Sequence, residues 1–229
     1  MDPRTRELLS QASTATITTQ LLARGLRNTF LHGIKPLNGR RLIGPAFTLR
    51  YIPAREDIDV LAVFKDYEHP QRKAIESVPP GHVLVMDCRG QTRAASAGNI
   101  LATRLQVRGA AGLVTDGTLR DTPEMKQLEL PVFTTGASPL TNLAQHHAVD
   151  MQIPIGCAEV AVYPGDIMVG DEEGVVCIPA HLADEIAEPA AQQESLEQFI
   201  LQEIENGRPL KGTYPPDEDT LSRAAHRST

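Results

Sequence analysis

Between residues 82 and 135 the chain alternates apolar runs with helical segments, and that rhythm leaves few folds open. Residues 82–88 (His-Val-Leu-Val-Met-Asp-Cys) read as a buried strand. Residues 98–108 read as a helix closed by Gly109, and residues 111–115 as a second strand. Residues 122–129 read as a second helix, with Pro123 tolerated in its first turn. Residues 131–135 read as a third strand. Strand–helix–strand–helix–strand with short connections requires parallel pairing and right-handed crossovers. In such sheets ligands bind beyond the carboxyl ends of the strands. The loops after Cys88 and Thr115 lie at that edge, and the helix at Gly98 starts there.

The flanking segments have other signatures. Residues 4–25 look helical, with a break where Ser13-Thr14 caps a second helix and a stop at Gly25. Residues 26–40 are rich in turn formers. Residues 46–52 form a strand between Gly44-Pro45 and Pro53. A helix is expected to start over residues 55–59, and another over 71–77, ended by Pro79-Pro80-Gly81. Residues 151–179 carry short β segments separated by Tyr163-Pro164-Gly165-Asp166 and Gly170-Asp171-Glu172-Glu173-Gly174, which reads as sheet closing on itself. Residues 180–206 form a long helix with Pro189 as a candidate break. Its stripe of Leu196, Phe199, Ile200 and Ile204 suits core or subunit contact. The expectation is one α/β domain over 1–206, with a parallel βαβ core and closing β segments. Residues 207–229, polar and holding Pro215-Pro216, are expected as a C-terminal arm, partly extended or disordered.

Composition narrows function. Aromatics are 4% of 229 residues and Trp is absent, so the core must be aliphatic. A net charge of -7 with no basic run beyond Arg40-Arg41 argues against nucleic acid. Cys88, Cys157 and Cys177 are isolated and odd in number, which suits reduced thiols in a cytoplasmic protein. Met1-Asp2-Pro3-Arg4 lacks an apolar signal core, and no run reaches membrane-span length.

The chemistry-bearing stretch is Gly98 to Glu124. A strand ends in Asp116-Gly117 and delivers Arg120-Asp121-Thr122-Pro123-Glu124, while Gly98-Asn99-Ile100-Leu101 opens a helix. An arginine and a helix N-terminus suit a small anion. The nearby carboxylates suit a hard divalent cation. Dinucleotide, phosphate-loop, zinc-protease and nucleophile-elbow motifs are absent. His146-His147 is read as a non-ligand pair, because neighbours on a helix point about 100° apart. Glu56, Asp57 and Asp59 are read as a solvated helix start, and Asp87 and Asp116 as turn acids.

The sequence resembles the RraA-like proteins, which include regulators of ribonuclease E and class II 4-hydroxy-4-methyl-2-oxoglutarate/4-carboxy-4-hydroxy-2-oxoadipate aldolases. The resemblance rests on Ser13-Thr14-Ala15-Thr16, Gly98-Asn99-Ile100-Leu101-Ala102-Thr103, the run from Arg108 to Gly117, Arg120-Asp121, Pro164-Gly165-Asp166, Gly170-Asp171 and Gly174-Val175-Val176. It implies a swivelling β/β/α fold assembled as trimers or hexamers, with sites between subunits. In the family's aldolases an aspartate, twenty residues and then Arg-Asp form the site. Here Arg120 and Asp121 match, and the first aspartate is replaced by Asn99, which keeps an acceptor oxygen without charge.

The resemblance implies a lyase that cleaves a C–C bond of a 2-oxo acid to give pyruvate, with oxaloacetate decarboxylation open to the same chemistry. Asp121 would ligate Mg²⁺ or Mn²⁺. Arg120 would bind the oxo acid, with the amides of Gly98, Asn99, Ile100 and Leu101 on its carboxylate. Asn99 or Glu124 would orient a proton-shuttling water. Glu194 or Glu197 of a neighbouring subunit is a candidate to complete the site. The alternative is a non-catalytic regulator that binds and inhibits a ribonuclease.

Overall fold

Two short helices open the chain. The computed structural model describes residues 1–227. Helix α1 (Pro3–Gln11) starts at Asp2, whose carboxylate accepts the Arg4 N–H, with Pro3 where no donor is needed. Helix α2 (Thr14–Ala23) starts at Ser13, whose hydroxyl accepts the Thr16 N–H. The break expected at Ser13-Thr14 is therefore present as a side-chain cap. Strand β1 (Lys35–Pro36) follows, and then β2 (Leu42–Pro53), which extends past both ends of the expected 46–52.

The crossover region runs α3 (Pro70–Ser77), β3 (Val83–Asp87), β4 (Ala95–Ala97), α4 (Asn99–Val107), β5 (Gly112–Thr115), β6 (Thr118–Leu119), α5 (Thr122–Met125), β7 (Val132–Thr134) and β8 (Gly136–Ala137). Strands β2, β3, β5 and β7 pair in parallel in that order, as the rhythm requires. Each of β3, β5 and β7 then kinks and is followed by one of β4, β6 and β8. These three short strands form a second parallel sheet of their own, in the order β4-β6-β8. The sequence reading did not foresee this small sheet.

The closing segments are β9 (His146–Met151), β10 (Ile155–Cys157), β11 (Val160–Val162), β12 (Ile167–Gly170) and β13 (Val175–Ile178). On the free edge of β2, β12 pairs antiparallel with Leu42 to Pro45 and β9 with Leu49 to Pro53. Strand β13 extends the sheet beyond β12, and β10 and β11 pair as a separate antiparallel ribbon.

Alternation along β3 divides the interior. Leu84 and Met86 pack with Leu49, Tyr51, Leu105, Leu113 and Met125 beneath the helices. Val83 and Val85 face the other way, onto Leu31, Val114, Phe133 and Val160. A third core joins Leu9, Ile17 and Leu21 to Ile167, Val169, Val176 and Ile178, with Ile186 of α6 (Ala183–Glu205). The interior is mostly aliphatic, with Tyr51 and Phe133 its largest fully buried side chains, and Cys88, Cys157 and Cys177 are buried free thiols. Among the described residues no helix is long and apolar enough to cross a membrane.

Four local expectations need correction. Helix α6 runs unbroken through Pro189, held by the buried Ala187 and Ala190 on either side. Helix α5 is a single turn, because Gln127 and Leu128 already bond at i−3 and Asn38 takes the Leu128 and Leu130 carbonyls. Residues 55–59 form a turn, and the helical stretch there is a 3₁₀ segment, Leu61–Lys65. Within 207–229, α7 (Glu218–Arg227) is a helix where an extended arm was expected. Its Arg223 pairs with Glu203 of α6 and with Asp219 one turn earlier, which supplies the contacts an isolated arm lacks. Residues 228 and 229 lie outside the described residues.

Candidate functional site

The small sheet positions the chemistry. Strand β4 ends at Ala97 and β6 at Leu119, side by side and parallel, so their carboxyl ends open on one edge. The Arg120 N–H donates to the Ala97 carbonyl at 3.1 Å and carries the pairing one residue further, beside Gly98. Asp121 then adopts a left-handed conformation (φ 56°, ψ 35°), which few residues other than glycine tolerate and which Asp and Asn tolerate best. That turn brings its Oδ2 to 3.2 Å from the Asn99 N–H at the start of α4 and 3.6 Å from Arg120 Nε. Gly98 is required by this closure. A Cβ there would lie 2.7 Å from Asp121 Oδ2 and 3.0 Å from Arg120 Nε.

Arg120 and Asp121 open onto a cavity of about 180 Å³. Gly98, Ile100 and Leu101 line it from the start of α4, with Ala95 and Ala97 from β4. Phe64, Gln71 and Arg72 line another wall, and Thr141 and Asn142 complete it. Gln71 Nε2 donates to the Ser96 carbonyl at 2.6 Å, which ties that wall to β4. Two wider surface grooves, of about 490 and 500 Å³, lie along α6 and α7 and along α2. Neither holds any residue of the Gly98–Glu124 stretch.

Five of the expected site residues thus meet: Gly98, Ile100, Leu101, Arg120 and Asp121. Two do not line the cavity. Asn99 contributes its backbone N–H to Asp121, while its Oδ1 accepts from Thr103 on its own helix at 3.4 Å. Glu124 is exposed on α5. Of the four amides expected to bind a carboxylate, that of Asn99 is engaged by Asp121 and that of Leu101 by the Gly98 carbonyl. Phe64, Gln71, Arg72, Thr141 and Asn142 were not foreseen. They come from segments whose position depends on contacts distant in sequence.

The other acids and histidines singled out in the sequence make contacts within the fold. Asp116 accepts the N–H groups of Cys88, Gly90 and Ala158 and so joins three turns; burial pushes its pKa up against those bonds. Asp87 accepts from Arg89 and Gly156. Both are turn acids, as expected. Asp59 is buried, accepting the Arg55 N–H and sitting 2.6 Å from His147 Nδ1, so the solvated-start reading of this residue is corrected. His146 and His147 lie on strand β9 and not on a helix, and they still face different partners. Glu194 accepts from the Ser13 N–H and the Thr16 hydroxyl, and Glu197 from Gln193, all within the same chain.

Among the described residues no three His, Cys, Asp or Glu side chains converge as a metal cage. The cavity offers one carboxylate, Asp121, and its Oδ1 accepts no hydrogen bond from the described residues. That donor set fits a Mg²⁺-type ion that keeps several waters and takes further oxygens from a ligand. It does not fit a dedicated all-protein site.

Comparison with known proteins agrees with this architecture. The Aldolase/RraA family model, RraA-like, matches residues 14–177. The chain belongs to the RraA-like family. A Halalkalibacterium halodurans relative, provisionally named a 4-hydroxy-4-methyl-2-oxoglutarate aldolase, is 33% identical over 167 residues, 71% of either chain. A Thermus thermophilus 4-hydroxy-4-methyl-2-oxoglutarate aldolase is 31% identical over 122 residues, 53% of this chain and 73% of that one. The crystal structure of Streptomyces coelicolor RraAS2, an unusual member of the RNase ES inhibitor RraA protein family, superposes with a TM-score of 0.76. It is 31% identical and covers 87% of this chain and 96% of its own. The RraA-like fold therefore carries both aldolase-named and inhibitor-named members.

Proposed function

We propose that the cavity binds a small 2-oxo carboxylic acid and cleaves the C–C bond that releases pyruvate, as a divalent-metal-dependent lyase of the 4-hydroxy-4-methyl-2-oxoglutarate aldolase type. The observation that carries the reading is the closure of Arg120 and Asp121 over Gly98. A strained aspartate, an arginine and a glycine that only their approach requires are combined at one cavity. The aldolase names of two relatives support the same reading.

Arg120 would hold the oxo-carboxylate through charge-assisted hydrogen bonds and stay in place as negative charge builds on the 2-oxo oxygen. Asp121, oriented by the Asn99 N–H, would hold Mg²⁺ or Mn²⁺. The cation, when bound, supplies Lewis-acid polarisation of the 2-oxo group. Ile100 and Leu101 give one side of the cavity an apolar lining. Oxaloacetate decarboxylation follows the same course, with CO₂ as the departing half. The proton-handling role expected of Asn99 or Glu124 has no support within a single chain, because neither side chain lines the cavity. A homotrimer or hexamer in the cytoplasm suits this reading: Ile100, 81% exposed at the cavity rim, is an apolar residue for a neighbour to cover.

The test is pyruvate release from 4-hydroxy-4-methyl-2-oxoglutarate and from oxaloacetate, with Mg²⁺ and then with chelator. Chelator-sensitive release is expected, and Arg120→Ala should lower it about 10²–10³-fold. Asp121→Asn is the better partner variant than Asp121→Ala, because Asn keeps the left-handed turn and removes only the charge. Release that survives both Asp121→Asn and chelator would overturn the metal assignment. A second reading, a ribonuclease-binding regulator, is favoured by the inhibitor family of the Streptomyces relative. Ribonuclease inhibition by a protein that turns over neither acid would favour it.

A further inference from the structure

Arg72 is the cation in this cavity with nothing to bind. It sits half-buried on α3 and lines the same 180 Å³ space as Arg120. Among the described residues it makes no ion pair and no hydrogen bond; its guanidinium lies over the Phe64 ring, 5.4 Å from the centroid. The acids near it are engaged elsewhere. Asp59 faces His147, Asp66 caps the Glu68 N–H, Glu68 pairs with Lys73, and Glu76 pairs with Arg104 and Arg108.

A guanidinium cannot shed its charge, and one that faces a cavity without an ion-pair partner is available to an anionic ligand. Stacking on Phe64 takes the flat face and leaves the N–H edges for a forked contact. A second observation points to a ligand. Asn142, 5% exposed, lines the cavity, and its Oδ1 is buried with no hydrogen-bond partner. An orphaned acceptor of this kind calls for a donor from outside the protein, which a carboxylate lacks and the 4-hydroxyl of a 4-hydroxy-2-oxo acid supplies. Charge agrees: two arginines against one aspartate leave the lining positive, before any cation is added.

Resting on the reading of the cavity as a 2-oxo acid site, we propose that Arg72 is its specificity-determining residue. It binds a second carboxylate of the substrate, while Arg120 binds the oxo-acid end. The cavity therefore selects dicarboxylic over monocarboxylic 2-oxo acids, and the departing half of the substrate carries the carboxylate that Arg72 holds.

Calorimetric binding of 2-oxoglutarate and of 2-oxopentanoate, which has the same five-carbon chain without the second carboxylate, tests this in Mg²⁺ buffer. The protein should prefer 2-oxoglutarate by about tenfold or more. Arg72→Gln should abolish that preference by weakening 2-oxoglutarate, with 2-oxopentanoate moving less than about threefold because its charge is held elsewhere. Arg72→Lys should restore part of the preference, which separates lost charge from lost packing on Phe64. Arg120→Ala should weaken both acids. Equal weakening of both acids by Arg72→Gln, no effect on either, or no preference in the unmodified protein would overturn the assignment. Pyruvate release is scored separately. A protein that prefers 2-oxoglutarate through Arg72 yet releases no pyruvate from a 4-hydroxy-2-oxo acid would lose the lyase reading and keep the Arg72 assignment.

Discussion

Gly98 shows how one missing methyl group can hold a site together. Its φ of -125° is open to any residue, so backbone freedom is not what it provides. What it provides is room, because a Cβ would meet Asp121 Oδ2 at 2.7 Å and Arg120 Nε at 3.0 Å. Both of those groups end flexible, half-exposed side chains that can swing aside. Gly98→Ala should therefore fold with a thermal midpoint close to the parent's. It should lose about 100-fold in pyruvate release, since a displacement near 1 Å costs that much in a positioned site. Unchanged turnover in a folded Gly98→Ala protein would contradict the placement of the site.

At the scale of elements, caps and kinks decide more than periodicity does. Glu194 of α6 fastens the start of α2 through the Ser13 N–H and the Thr16 hydroxyl. Burial works against its ionisation, but those hydrogen bonds and the Arg41 charge outweigh it and hold its pKa below the ordinary 4.5. Its contribution to stability is then complete above 4.5 and disappears as the pH falls through the folded value. Glu194→Gln should cost about 0.5–1 kcal/mol near neutral pH, solvent screening included, and the gap should close on acidification. Urea melts at both pH values would show it; a gap that widens in acid would refute the linkage.

The same scale explains what the sequence disclosed. Helical spacing marked the helices, continuous apolar runs marked the buried parallel strands, and Ser13 and Gly98 marked two helix starts where they occur. The strands β4, β6 and β8 have two or three residues each, too short for any periodic signal. Arg120, Asp121 and Gly98 were legible because they fall in one stretch of chain. Arg72 and Asn142 were not. Their wall is placed by contacts such as Asp59 with His147, 88 residues apart.

For the whole molecule, the proposed assembly would cover exposed apolar side chains such as Leu61, Ile100 and Val107. Light scattering should give three or six times the 24.9 kDa chain mass, and Ile100→Asp should shift it toward the single chain with loss of turnover. A monomer that turns over fully would refute the assembly.

Only Asp116 and Gly117 separate β5 from β6, so the main sheet dictates the frame in which Arg120 and Asp121 are read. One residue inserted there would exchange the faces of β6 and turn Arg120 and Asp121 away from the cavity. The wall that carries Arg72 joins that frame through side-chain contacts, Gln71 on β4 and Asp59 on His147, and not through strand register. On the proposed reading, substrate choice can therefore drift over generations while the bond that breaks stays the same.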